Sequence, residues 1–60
     1  MTKKRDLHRE LERAGFMLLA HRKGPHDKFF KPGMRPIAVP RHNEIDEHTA
    51  DAIRKQAGLR

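Results

Sequence analysis

The 60-residue chain contains no cysteine, no tryptophan and no tyrosine, and its aromatic complement is three phenylalanines. Without thiols it forms no disulfide and offers no thiolate to a metal, which fits a reducing compartment. Long apolar runs are missing too. The longest, "FMLLA" at residues 16–20, is far too short to cross a bilayer or to form the core of a signal peptide, so a cytoplasmic location is expected. With 35% hydrophobic residues and few rings, the core has to be assembled from Leu, Ile, Met, Phe, Val and Ala drawn from nearly every element. A domain of this size buries only ~60% of the surface of its unfolded chain, so residues 1–60 are expected to form one domain and no more.

Acidic residues are the other shortage. Fourteen Lys and Arg stand against eight Asp and Glu, a formal net charge of +6. That balance is the electrostatic footprint of a protein that binds polyanions, and nucleic acid is the expected partner. A membrane surface would need a basic amphipathic helix with a broad apolar face, which neither helical segment has.

Along the chain, Leu7, Leu11 and Ala14 recur at helical spacing, and Gly15 followed by Phe16 reads as a Schellman stop in which Leu11 and Phe16 meet. From Phe16 to about His21 the apolar residues leave the helical period, and "KGP" at residues 23–25 signals chain reversal. The next strand, "HDKFFK", ends at "KPGMRP", where Pro32 and Gly33 suit the two centres of a type II turn. A third strand, "IAV", is bounded by Pro36 and Pro40 and so belongs at an edge or strand end. After the polar loop "RHNEIDEHT", Ile45, Thr49, Ile53 and Ala57 mark a second helix, closed by Gly58 and Leu59. The order is α-β-β-β-α, an α+β fold in which two amphipathic helices cover one face of a three-stranded antiparallel sheet and leave the other open.

Chemistry concentrates at the hairpin tip, "HRKGPHDKFF". His26 follows Gly24 and Pro25 where a rigid scaffold can present a side chain, and Arg22, Lys23 and Lys28 surround it with positive charge. An RNA strand carries its own nucleophile, the 2′-hydroxyl, so a base, phosphate-binding cations and an acid suffice to cut it without a metal or cofactor. Arg41 and His42 in "PRH" leave the third strand and are a second candidate pair for phosphate or for the leaving oxygen. His8, His21 and His48 read as surface residues, and the comb Arg5, Arg9, Arg13 reads as a solvated helix face. Asp46, Glu47 and His48 are sequence neighbours that point apart on a helix, and no metal site is expected.

Over nearly its whole length the sequence resembles the HicA toxins of bacterial type II toxin-antitoxin systems, which are small messenger-RNA interferases. "RDLHRELERAGF" is similar to the family's opening helix and glycine stop, "RKGPHDKFF" to its Gly-x-His hairpin, "IAVPRH" to its third strand and "IRKQAGL" to its closing helix. The resemblance implies a fold like the double-stranded RNA-binding domain, His26 as the catalytic residue, and a HicB-type antitoxin as partner, with operator DNA reached only through that complex. Pro25 stands where many relatives have serine, and His48 where many have a glycine.

The expected function is therefore an endoribonuclease toxin, with His26 as general base, Arg22, Lys23, Lys28, Arg41 and His42 on the RNA, and the acid open between His42, Lys28 and water. The rival from another class is a non-catalytic double-stranded-RNA-binding module, which would use the first helix, the hairpin and the start of the last helix. A small basic structural subunit is the third reading.

Overall fold

The computed structural model describes residues 1–19 and 24–60. The elements run β1 (Thr2–Lys3), α1 (Lys4–Arg13), β2 (Met17–Leu18), β3 (His26–Phe30), β4 (Ile37–Pro40), β5 (Glu44–Ile45) and α2 (Glu47–Gln56). The three-stranded antiparallel sheet has the order β2-β3-β4, as the sequence predicts, and β1 pairs with β5 in a small second sheet that it does not predict. The last expected residue of the first strand, His21, lies outside the described residues.

The helix ends follow local chemistry. At the end of α1 the Phe16 N–H donates to the Leu11 carbonyl at 3.0 Å and the Gly15 N–H to the Glu12 carbonyl at 3.0 Å, the two bonds of a Schellman motif. Gly15 takes φ +97°, which glycine adopts without strain. The same pair of bonds closes α2, from Leu59 to Arg54 at 2.8 Å and from Gly58 to Lys55 at 3.0 Å. Helix α2 begins two residues later than the periodicity places it: Asp46 is its N-cap, accepting from the Thr49 N–H at 3.0 Å, and Ile45 belongs to β5. Helix α1 has no side-chain cap, and the Lys4 N–H donates instead to the Asn43 carbonyl at 2.9 Å. Pairing β1 with β5 is what brings Asn43 there.

One core joins all layers. Leu7 and Leu11 of α1, Ala50 and Ile53 of α2, and the inward residues Phe29, Ile37 and Val39 of the sheet are buried in a single cluster with Phe16, Ile45 and Ala57. Both helices thus cover one face of the sheet, leaving the other face open. The Lys31–Met34 turn is the predicted type II turn, with Met34 N–H to Lys31 carbonyl at 3.0 Å and Gly33 at φ +84°.

Candidate active site

Strand β3 alternates strictly: His26, Lys28 and Phe30 are exposed while Asp27 and Phe29 are buried. A pleated strand sends successive side chains to opposite faces, so His26 and Lys28 share the open face about 7 Å apart along the strand. Opposite them on β4 stand Pro40 and Ala38, both short, so nothing on that side crowds the imidazole or the ammonium. On the β2 side, Met17 pairs with Phe30 and the Leu19 N–H donates to the Lys28 carbonyl at 2.9 Å. The open face therefore grades from His26 and Lys28, with exposed Leu19 beside Lys28, to an apolar end formed by Phe30 and Met17.

Gly24, at φ +134° with open space where a Cβ would lie, and Pro25 lead into β3. The Arg41 N–H donates to the Pro25 carbonyl at 3.1 Å, extending the β3–β4 ladder one step beyond the His26–Pro40 pair. Bonded and non-bonded pairs alternate in an antiparallel ladder, which makes His26–Pro40 a non-bonded pair. The N–H that Pro40 lacks would have faced the free edge of β4, so proline there leaves no gap in the sheet.

The sequence-predicted residues separate as follows. Arg22 and Lys23 lie outside the described residues. Lys28 shares the His26 face, and His42 is exposed just past the end of β4. Arg41 turns to the opposite face, where its Nε donates to Asp27 Oδ1 at 2.8 Å. Asp27 is 7% exposed, and the arginine side chain 31%. This buried carboxylate was not singled out from sequence. Its signal was parity: Asp27 occupies the inward phase shared with Phe29.

His8 differs from its expected solvated position. It lies on the flank of the α1 stripe beside Leu7 and Leu11, and its ring meets the edge of Phe29 at 4.7 Å between centroids. Its Nε2 is buried without a hydrogen-bond partner among the described residues. Burial lowers its pKa below the ordinary histidine value, and the Asp27 carboxylate pulls the other way. The helix comb Arg5, Arg9 and Arg13 is exposed, as a solvated face should be. Arg54 of α2 is not: it donates to Glu10 at 2.9 and 3.0 Å and to Asp51 at 2.9 Å. Those bonds hold its guanidinium charged and spend its donors within the protein. Among the described residues no cluster of His, Asp or Glu could hold a metal ion, and no helix is long and apolar enough to cross a membrane.

The model of a protein family described as "HicA toxin of bacterial toxin-antitoxin" matches residues 5–59. A solved structure titled as a toxin-antitoxin complex from Streptococcus pneumoniae contains a chain that superposes with a TM-score of 0.87 at 36% identity, covering 98% of this chain and 100% of that one. No curated protein matches the sequence significantly.

Proposed function

The chain belongs to the HicA toxin family, and from that premise we propose that it is an endoribonuclease that cleaves messenger RNA through His26 without a metal. The observation that carries the reading is the shared open face of His26 and Lys28, which stand across from Pro40 and Ala38 of β4. His26 takes the proton from the 2′-hydroxyl, O2′ attacks the phosphorus, and the 5′-oxygen leaves with a proton from His42, Lys28 or water. The products are a 2′,3′-cyclic phosphate and a 5′-hydroxyl. Lys28 holds the scissile phosphate together with Arg22 and Lys23, and His42 continues the path of the backbone; Arg41, expected there from the sequence, is turned to the opposite face by its bond to Asp27. General base catalysis of this kind supplies about 10²–10⁴ in rate, which suits a slow nuclease.

Residues 1–60 act in this reading as one toxin domain in the bacterial cytoplasm. Its partner is a HicB-type antitoxin, and operator DNA is reached only through that complex. The similar chain solved in a toxin-antitoxin complex supports an antitoxin partner, and so does the apolar end of the open face, where Met17 is 68% exposed. The non-catalytic double-stranded-RNA-binding module is disfavoured, because the basic residues of α2, Arg54 and Lys55, lie in its last turn and not at the start through which such a module docks, and Arg54 is engaged by Glu10 and Asp51.

The test is cleavage of a defined RNA in EDTA by the parent and by His26→Ala, followed by identification of the ends. Cutting by the parent alone, with cyclic phosphate ends, is the expected result. Equal cutting by both proteins, or RNA binding by both with no cutting, rejects it.

A further inference from the structure

An aspartate is a poor choice for the inner row of this sheet. Its neighbours there, Phe29, Ile37 and Val39, are at most 1% exposed, and Asp27 itself is 7% exposed. Replacing a buried ion pair by apolar residues of similar size is commonly neutral or stabilising, so stability alone does not account for a charge at this position. What the carboxylate supplies is a directed link. Asp27 stands opposite Val39, and Arg41 lies two residues further along β4 on the same face, the diagonal distance that a long side chain spans.

Arg41 holds β3 on both sides of His26. Its backbone N–H bonds the carbonyl of Pro25, one residue before, and its Nε bonds the carboxylate of Asp27, one residue after. The His26–Pro40 pair between them is a non-bonded pair of the ladder, so toward β4 the strand is held at this level by those flanking bonds. We propose that Asp27 is a positioning residue for the cleavage reaction: buried behind β3 and bonded to Arg41, it fixes the strand end from which His26 projects on the opposite, open face. This rests on the reading of His26 as the general base. Asp27 itself faces away from the RNA and touches neither substrate nor reacting atoms.

Two simpler roles predict different results. A carboxylate that mattered only through its charge would repel RNA, and removing it would tighten binding and leave the rate unchanged or raised. A carboxylate that mattered only for folding would lower the rate in proportion to the folded fraction.

The experiment measures single-turnover cleavage rate and RNA Kd for the parent, His26→Ala, Asp27→Val and Asp27→Asn, each shown folded by circular dichroism. Asp27→Val is expected to bind RNA at least as tightly as the parent yet cut it about 10–100-fold more slowly, the scale on which small misplacement acts. Asp27→Asn keeps an oxygen that accepts from Arg41, and is expected to recover most of the rate. If Asp27→Val does not fold, Asp27→Ala adds no bulk and is read by the same two outcomes. A folded Asp27→Val or Asp27→Ala that cuts at the parent rate overturns the proposal while leaving His26 in place. If His26→Ala itself cuts, the general-base reading falls, and the positioning role falls with it.

Discussion

Arg54 donates two hydrogen bonds to Glu10, at 2.9 and 3.0 Å, and so ties α2 to α1 across the back of the sheet. The arginine side chain is 13% exposed and also binds Asp51, whereas Glu10 is 40% exposed and can rehydrate if its partner is lost. Hydrogen bonds to charged groups contribute about 1.5–3 kcal/mol each when buried, and the exposure of Glu10 discounts this. Arg54→Ala is therefore expected to cost about 2 kcal/mol, or roughly 10 °C in Tm for a domain of this size. Thermal and urea unfolding check it, and a loss under half that size would make the network a surface ornament.

The two adjacent phenylalanines should behave oppositely. Phe29 is fully buried and Phe30 is 37% exposed on the open face. Phe29→Ala is expected to cost ~3–5 kcal/mol, which matches the whole stability that so small a core usually supplies, so this variant should be unfolded at 25 °C. Phe30→Ala should cost under about 1 kcal/mol and instead weaken binding of single-stranded RNA, since an exposed ring beside a cation is a stacking platform. Circular dichroism and RNA titration of both variants separate the two; a folded Phe29→Ala would contradict the burial.

Features written in contiguous residues were legible before the fold was known. The stops at Gly15 and Gly58 and the turn at Pro32 and Gly33 each depend on one or two backbone angles and near neighbours, and all three formed as read. The strand "HDKFF" formed as expected, and its alternation puts His26 and Lys28 on one face. The β1–β5 pair was not legible, because two-residue strands carry no period and Thr2 meets Ile45 from the far end of the chain. The inward phase of Asp27 is written in the alternation of β3, but its bond to Arg41 is not, because that partner arrives from another strand. The setting of His8 is hidden in the sequence because its charged neighbours point elsewhere on the helix, while its own ring packs against Phe29.

Burial of His8 makes stability depend on pH. Its pKa in the folded state lies below the ordinary value of 6.5, chiefly through desolvation; Asp27 and Glu12 pull it up, and Lys4 pushes it further down. The unfolded chain therefore binds this proton more readily, so stability rises with pH. The contribution is complete above about pH 6.5 and is lost as pH falls from there toward the folded value. His8→Leu should remove that loss: between pH 7.5 and pH 5.5 the parent should lose more stability than the variant in urea unfolding. Parallel curves for the two proteins would show that the ring titrates as freely when folded as when unfolded.

Lys28 provides the sharpest distinction between cleavage on the open face and a double-stranded-RNA-binding module. Each phosphate neutralised on a single strand contributes about 0.7 to the slope of log K against log salt. Lys28→Ala should weaken RNA binding and reduce the steepness of that slope by about 0.7, because Lys28 is exposed on the His26 face. Arg9 is exposed on α1, and α1 packs on the other face of the sheet. Arg9→Ala should leave the slope as it is. A binding module that docks through its first helix would reverse this pair, with Arg9→Ala flattening the salt dependence and Lys28→Ala changing little. Filter binding of one labelled RNA from 50 to 200 mM salt, with both variants and the parent, measures all three slopes, and the reversed order would move the RNA from the open sheet to the helices.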